Sequence, residues 1–275
     1  MKMLKCAGLI AMLGLASSAS AVTYTLTDGN STAQVDADST AGMWNWTVDG
    51  VNQLARQWFW YRVGNTGGER GINTLTTVSR TQPDAASLNM TWRNGSFEIT
   101  IKYSLLGGSA GSGFSDISEQ ISIKNTGSSM LNFHFFQYSD FDLNRTPNDD
   151  TAYFDTDRSV VQLNTTDGLQ LSETSVSRTP DHRQIAINPA LFNSLNDTSP
   201  TTLTDTPTGG ATVGPTNVSW AFQWDFNIAA GSTVGFSKDK TLTHTAVPDS
   251  GATVALLGAA LTGLALLGRR FRRRQ

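Results

Sequence analysis

The central part of the sequence predicts an all-β fold, namely a single large antiparallel β-sandwich of the jelly-roll or immunoglobulin-like kind. Between residues 22 and 246, short runs rich in Val, Ile, Thr and aromatic residues alternate with Gly, Asn, Asp, Ser and Pro. No apolar pattern is sustained at helical spacing, and no repeat or linker divides the segment. Two packed antiparallel sheets are the usual way in which so many strands bury their apolar sides.

Nine segments carry the strand signal. In the run 97–105, Ile99, Ile101 and Tyr103 alternate with polar residues, so we expect one side of this strand to be buried and the other to be solvated. The other predicted strands are 22–27, 43–48, 57–63, 117–124, 131–138, 159–163, 220–228 and 233–236.

Turn residues predict how some of these strands are connected. The segments 125–129 and 229–232 combine Gly with Asn or Ser, which favours short antiparallel hairpins between their flanking strands. The stretch 178–216 is rich in Thr, Pro, Asp and Asn, and we expect a long surface excursion with one helical turn near 189–195.

The N-terminal segment has the pattern of a signal peptide. Lys2 and Lys5 are basic, an apolar stretch covers 6–16, and the small residues Ala19 and Ala21 fit the cleavage rule. The stretch is shorter than the roughly 20 apolar residues of a permanent span. We therefore predict a signal peptide over 1–21, cleaved after Ala21.

Cysteine use limits the chemistry of the exported chain. Cys6 is the single cysteine, and it lies within the predicted signal peptide. The mature chain then has no thiol, which excludes disulfides, cysteine catalysis and thiolate metal sites.

The C-terminal segment combines three features in order. A short Pro-Asp motif is followed by an uncharged apolar run over 252–268 and then by a basic cluster. At 1.5 Å per residue, a helix over this run is about 25 Å long, just enough for a bilayer core. We predict a transmembrane helix whose arginines stay in the cytoplasm, which leaves everything upstream outside. The motif is Val247, Pro248, Asp249, Ser250 and Gly251, and the stop-transfer residues are Arg269, Arg270, Arg272, Arg273 and Arg274.

This order of motif, helix and arginine cluster resembles the PEP-CTERM sorting tails of bacterial exosortase systems, in the VPDSG variant. The resemblance covers 247–275, and Asp249 stands where the commoner motif has glutamate. It implies that a membrane exosortase recognises 247–251, cuts near the motif and releases or transfers the protein. It also implies a role in biofilm or envelope material, because such tails accompany exopolysaccharide production. A membrane anchor that is never cut is the simpler alternative.

The charge balance bears on the partners of the exterior domain. Residues 22–268 hold 13 Lys and Arg against 23 Asp and Glu, a balance of about −10. This acidity argues against nucleic-acid binding, which depends on neutralising phosphates.

Catalytic motifs are weak in this sequence. Ser109 lies in a G-x-S-x-G pattern, but no helix follows it, so a flexible loop is the better interpretation. His134, His182 and His244 lie far apart and have no metal-ligand spacing. We therefore predict no catalytic residue and no confident metal site.

The segment 140–157 is the most acidic part of the exterior domain. Asp140, Asp142 and Asn144 alternate along the chain, and calcium prefers such oxygen ligands. EF-hand spacing fails, because Arg145 occupies the place of the required glycine. Three interpretations stay open: a calcium site, a carboxylate pair for glycoside hydrolysis, and polar residues at strand ends.

Two tryptophans suggest a surface for sugar rings. Trp58 and Trp60 share one face of a predicted strand, and an exposed pair would form a stacking platform. The alternative is that both rings belong to the core, since aromatic residues dominate sandwich interiors.

Together these features predict an exported cell-surface or extracellular-matrix protein that is sorted by an exosortase. It is expected to be non-enzymatic and to bind extracellular polysaccharide weakly, with calcium as the one candidate cofactor. The alternatives are a carbohydrate-active β-sandwich enzyme that uses carboxylates of 140–157, and a calcium-stabilised binding module.

Overall fold

Residues 22–244 form a two-sheet β-sandwich in the computed structural model, as the sequence predicts. These residues contain seventeen strands, one short helix, α1 (Ala190–Leu195), and the 3₁₀ turns Ile72–Thr74, Leu143–Arg145 and Pro147–Asp149. The strands are β1 (Thr23–Asp28), β2 (Ser31–Asp36), β3 (Gly42–Val48), β4 (Val51–Asn52), β5 (Leu54–Val63), β6 (Arg70–Gly71), β7 (Thr76–Asp84), β8 (Ser87–Arg93), β9 (Phe97–Gly107), β10 (Ser115–Asn125), β11 (Leu131–Phe141), β12 (Asp150–Thr156), β13 (Ser159–Asn164), β14 (Leu169–Ser175), β15 (His182–Ile187), β16 (Val218–Ile228) and β17 (Thr233–His244).

The strands are divided between two sheets. Sheet A has the order β1-β2-β3-β5-β11-β16-β15, with β4 beside β3 and β6 beside β5. Sheet B has the order β12-β13-β14-β17-β10-β9-β8-β7. The longest strands occupy the middle of each sheet, where β11 pairs with β5 and β16, and β10 pairs with β9 and β17.

Several strands lack a clear sequence signal. All nine predicted strands are present, and the structure adds β2, β4, β6, β7, β8, β12, β14 and β15. The added β7 is exposed at almost every position. Its strand conformation comes from pairing with β8, because strand propensity mostly reflects the packing of neighbours.

The two predicted hairpins are wrong. Segment 125–129 joins β10 of sheet B to β11 of sheet A, and segment 229–232 joins β16 of sheet A to β17 of sheet B. Both segments therefore cross between the sheets. Turn residues specify a reversal of the chain, but they do not specify which strand becomes the hydrogen-bonded partner.

The predicted excursion over 178–216 is partly correct. Its helical turn is α1, in the expected place. However, the stretch also contains β15, which is the edge strand of sheet A beside β16. Phe192 of α1 packs edge-on against Trp60, with ring centroids 6.0 Å apart, so the excursion covers part of the outer face of sheet A.

The core between the sheets is dominated by aromatic rings. Phe59 stacks on Phe135 at a centroid distance of 5.5 Å, and Phe141 stacks on Trp220 at 5.3 Å. Offset and edge-to-face ring pairs add to the free energy gained from burying their area.

Four charged side chains are buried inside this core. Glu119, Glu173, Lys238 and Lys240 are each 0% exposed in their side chains. Lys238 Nζ lies 3.2 Å from Glu119 Oε2 and also contacts Glu173, and Lys240 contacts Glu119. Two positive and two negative groups balance one another, which is what permits burial of charge.

The structure describes residues 22–244, so the predicted signal peptide over 1–21 and the whole predicted sorting tail lie outside the described residues: the motif 247–251, the membrane span 252–268 and the arginines of 269–274. Over residues 22–244, no helix has the length and apolar character needed to cross a membrane.

Candidate functional site

The outer face of sheet A carries a row of polar side chains near the start of β11 and the end of β16. His134 of β11 lies directly opposite Asp225 of β16, and His182 of β15 lies opposite Gln223 of β16. Residues directly opposite in a sheet point to the same face. We call His134, His182, Asp205 and Asp225 the His–Asp row.

Two hydrogen bonds and one longer ion contact connect the row. His134 Nδ1 lies 2.6 Å from Asp225 Oδ1, and His182 Nε2 lies 3.9 Å from Asp225 Oδ2. His182 Nδ1 is 2.9 Å from Asp205 Oδ2, so Asp225 stands between the two imidazoles and Asp205 closes one end. Imidazole rings whose partners are fixed in this way have fixed orientations.

Asp225 is held as a carboxylate. Its partial burial opposes ionisation, but hydrogen bonds from His134 and Gln223 outweigh burial and lower the pKa of Asp225. Gln223 Nε2 donates to both carboxylate oxygens, at 2.9 and 3.2 Å. The main-chain N–H of Asp225 donates to Asp181 at 2.8 Å.

The row is open to solvent on one side. The side chains of Asp225 and His182 are each about one-third exposed, and that of Asp205 is nearly half exposed. His134 is more enclosed, and its Nε2 faces Asn65 and Asn132 at 3.2 and 3.1 Å. The surface therefore offers donors and acceptors in planar groups, which can bind hydroxyl groups.

Sequence reasoning missed this row. The three histidines lie far apart in the sequence, and His244 indeed lies elsewhere, at the end of β17. The missing signal is the pairing of β11 with β16, which are separated by more than 70 residues of chain. Once that pairing and its register are known, His134 and Asp225 meet directly.

The predicted calcium ligands have separate partners. Asp140 accepts from Asn188 at 3.0 Å, and Asn144 donates to Asp167. Asp142 is half-buried, and burial raises its pKa. Within 22–244 no three His, Cys, Asp or Glu side chains are placed to hold a metal ion, so calcium binding stays a prediction without a ligand cluster.

The carboxylates of 140–157 are spread over different surroundings. Burial and the nearby Asp142 raise the pKa of Asp140 to about 7, and burial raises that of Asp150 to about 7. Asp150 is completely buried and accepts from Gln162, whereas Asp157 is exposed and pairs with Arg183 at 2.7 Å. The enzyme alternative also requires Trp58 or Trp60 to be exposed beside these carboxylates, and both side chains are buried.

The stacking platform predicted at Trp58 and Trp60 is wrong, because both side chains are 0% exposed. Trp58 donates to Asn73, and Trp60 donates to Asn196 of the excursion. Sheet A is covered on both faces at this point, so the alternation of faces does not separate buried from exposed rings. Among the described tryptophans, Trp44 of β3 is the exposed one, at 37%.

The sequence after β17 decides the identity of the tail. A family model of a C-terminal sorting motif matches residues 246–271, which include the predicted motif, the apolar run and the first arginines. Residues 246–271 are a VPDSG-CTERM motif. This PEP-CTERM-type tail marks an exported, envelope-associated protein sorted by an exosortase. No curated protein matches the sequence.

The fold of residues 22–244 is similar to that of several solved structures. A bacterial glucoamylase complexed with acarbose aligns with 88% of this chain and 36% of its own, with a TM-score of 0.55 and 8% identity. A galactose mutarotase-like protein from Lactobacillus casei aligns with 80% of this chain and 100% of its own, at TM-score 0.54 and 8% identity. A putative aldose 1-epimerase from Escherichia coli K12 aligns with 82% of this chain and 99% of its own, with a TM-score of 0.51 and 11% identity.

These similarities show the fold alone, because identity is so low. This chain spans about one-third of the length of the glucoamylase. Proteins named as enzymes share this fold, so the fold does not support the prediction that the protein is non-enzymatic.

Proposed function

We propose that the exterior sandwich of this VPDSG-CTERM protein binds carbohydrate at the cell envelope, as a surface or matrix component, through the His–Asp row. The observation that carries the proposal is the row itself: two imidazoles and two carboxylates, open to solvent on one side, in which hydrogen bonds join His134 to Asp225 and His182 to Asp205. Sugar hydroxyls need neighbouring donors and acceptors in fixed positions. The row provides them without an induced rearrangement.

The position of the row suits a tail-anchored or tail-processed protein. His134 lies near the start of β11 and Asp225 near the end of β16, close to the segment 229–232 that leads into β17. Strand β17 then runs for 12 residues, about 40 Å, to His244, after which the tail follows. The row therefore lies at the end of the sandwich opposite His244, the last described residue.

The similar folds support the ligand class. The glucoamylase structure contains acarbose, and the other two neighbours are named for aldose or galactose chemistry. Such names concern those proteins. Here they add weight to a ligand class that the polar row already favours.

Binding of the full-length chain in detergent to its host's extracellular polysaccharide tests this proposal. We expect Asp225→Asn and His182→Gln each to weaken binding at least fivefold, because each removes a charged or hydrogen-bonding partner from the row. The matched control is Asp155→Asn, an exposed carboxylate on β12 of the other sheet. Equal affinity of wild type, Asp225→Asn and the control would refute binding at the row.

A carbohydrate-active enzyme is the second candidate. Its specific support is the placement of Asp225 between two imidazoles, since paired acid and base groups on one surface can exchange protons with a sugar. Assays of anomer interconversion and of reducing-end release, with Asp225→Asn as the inactive comparison, test it. Activity that persists in Asp225→Asn would exclude the row as its source.

A further inference from the structure

The inner face of sheet B brings four charged side chains together. Lys238 and Lys240 of β17 are buried while the residues beside them are partly exposed, so both lysines point into the core. Glu119 of β10 lies directly opposite Lys238, and Glu173 of β14 lies directly opposite Lys240. We call Glu119, Glu173, Lys238 and Lys240 the core quartet. Lysine and glutamate are almost never fully buried unless they are paired, so the contacts within the quartet decide what it can do.

Lys238 is the lysine with two close carboxylates. Its Nζ donates to Glu119 Oε2 at 3.2 Å and also contacts Glu173 Oε1. Lys240 Nζ contacts the other oxygen of Glu119 and lies 4.0 Å from Glu173 Oε1. The amine of Lys238 therefore lies between a carboxyl group that it can attack and a carboxylate that can take up its proton.

The two oxygens of Glu173 are held differently. Trp220 Nε1 donates to Oε2 at 2.8 Å, and the hydroxyl of Ser139 donates to the same oxygen at 3.1 Å. Oε1 contacts the Lys238 amine but accepts no hydrogen bond from the described residues. Two donors on one carboxyl oxygen stabilise the negative charge that develops there when a nucleophile attacks the carbon. Oε2 is therefore placed to stay, and Oε1 is placed to leave.

Burial prepares the lysine for such an attack. Burial lowers the pKa of Lys238, so its ammonium group gives up a proton more readily than that of an exposed lysine. Glu119 accepts the hydrogen bond of this ammonium group and is placed to receive the proton. Burial opposes the ionisation of Glu173, but the two lysines outweigh burial and lower its pKa, so Glu173 begins as a carboxylate.

We infer that Lys238 and Glu173 form an intramolecular amide cross-link inside the sandwich, with Glu119 as the proton carrier. The lone pair of Lys238 Nζ forms the bond to Glu173 Cδ, and the bond from Cδ to Oε1 breaks. Two protons of the Lys238 ammonium group pass through Glu119 to Oε1, which leaves as water. The third proton stays on the amide nitrogen, and Glu119 ends as the carboxylate that it was. Atoms and charges therefore balance without a further reactant.

The burial of charge favours the linked state. The cross-link replaces a buried ion pair with a neutral amide, which removes the desolvation cost of two ions. Lys240 and Glu119 remain and still balance each other. The amide lies between the two sheets, where exclusion of water protects it from hydrolysis.

The cross-link secures the strand that leads to the sorting tail. Strand β17 ends at His244, and the VPDSG-CTERM match begins at residue 246. Glu173 and Lys238 are 65 residues apart in the sequence, so the bond closes a long loop between β14 and β17. Closing a long loop restricts the unfolded chain, as a disulfide does in a protein that has cysteines. This inference concerns the interior of the sandwich and does not depend on binding at the His–Asp row.

Tryptic peptide mapping of the full-length chain, purified in detergent, detects the bond. Trypsin does not cleave after an acylated lysine, so we expect peptide 159–178 to stay joined to peptide 184–240. The joined pair should be lighter than the sum of the two by one water, about 18 Da, and fragment ions should place the bond at Glu173 and Lys238. Separate peptides 159–178 and 184–238 with no joined pair would overturn the inference. A bond between Lys240 and Glu119 would also overturn it.

Two variants test the roles within the quartet. Glu119→Gln keeps the shape of the side chain but cannot carry the proton, so we expect at least about tenfold less joined peptide. Lys238→Arg keeps the positive charge but has no amine that forms this amide, so peptide 159–178 should be released. The matched control is Lys102→Met on the outer side of β9, which should link as the wild type does.

The outcomes separate the bond from its mechanism. Near-ultraviolet circular dichroism verifies the fold of each variant, and the wild-type map decides whether the bond exists even if a variant fails to fold. Linking at the wild-type level in folded Glu119→Gln would overturn the role of Glu119. Linking of peptide 159–178 in Lys238→Arg would overturn the assignment to Lys238. Loss of carbohydrate binding in Asp225→Asn with the joined peptide intact would show that the proposed function and this inference stand separately.

Discussion

The side-chain amide of Asn125 donates to the main-chain carbonyl of Ile228 at 2.8 Å. The same amide nitrogen donates to Ser129 at 2.8 Å, and the main-chain N–H of Gly231 donates to the Asn125 carbonyl at 3.1 Å. Asn125 therefore joins the two segments that cross between the sheets.

Replacing this residue is expected to destabilise the sandwich. Asn125→Ala leaves the buried carbonyl of Ile228 without its donor, which costs about 1–3 kcal/mol of the free energy of unfolding. Urea unfolding measures the loss. The matched control is Asn89→Ala on β8, and a loss no greater than that of the control would contradict the role of Asn125.

The buried charges predict a larger effect. Lys238→Met leaves Glu119 and Glu173 buried with a single positive partner, and breaking such a pair costs about 3–5 kcal/mol. Urea unfolding of Lys238→Met and of Lys102→Met, on the outer side of β9, compares buried with exposed lysine. Similar stabilities for the two variants would show that the network contributes little.

Asp140 makes stability dependent on pH. Burial and the charge of Asp142 raise the folded pKa of Asp140 to about 7, well above the unfolded value of about 4. Stability contributed by this group is complete below pH 4 and is lost as the pH rises through 7, by about 4 kcal/mol. Asp140→Asn should flatten this part of the profile, whereas Asp155→Asn should not. An unfolding free energy that rises from pH 4 to 7 in wild type, with no change in Asp140→Asn, would contradict this.

Trp44 offers the exposed indole that Trp58 and Trp60 do not. We expect Trp44→Ala to weaken polysaccharide binding severalfold with little change in melting temperature, because its ring is 37% exposed and contributes little to the core. The control is Met130→Ala, which removes an exposed apolar side chain elsewhere. A binding loss no larger than the control's would exclude stacking on Trp44.

The sorting tail predicts a change of mass in the native host. Wild type should lose its terminal arginines and leave the membrane fraction, whereas the double variant Pro248→Ala, Asp249→Ala should keep both the full mass and the membrane association. The matched control is Pro83→Ala, Asp84→Ala, which alters another Pro-Asp pair at the β7–β8 turn. Full mass in the wild type would show that the tail is an uncut anchor.

The fold class and the sorting tail could be predicted from the sequence because both are local signals. Ile99, Ile101 and Tyr103 alternate as a half-buried strand must, and the structure buries all three. The VPDSG-CTERM motif is a linear pattern, and its family match over 246–271 depends on no fold.

Strand pairing and burial on sheet A were decided by the tertiary structure. Trp58 and Trp60 follow a strand pattern that fits either exposure or burial. Trp60 is covered by Phe192 and Asn196, which lie more than 130 residues further along the chain, and this contact cannot be read from the local pattern. The two hairpin predictions were wrong for a related reason, because turn residues are equally compatible with a connection that crosses between the sheets.

The candidate sites depend most strongly on the fold. The sequence by itself determined an all-β exterior domain and a sorting tail, because periodicity and linear motifs are properties of neighbouring residues. The meeting of His134 with Asp225 was decided by the tertiary structure. This contact arises from the register of two strands far apart in the chain, which is set by the packing of the whole core.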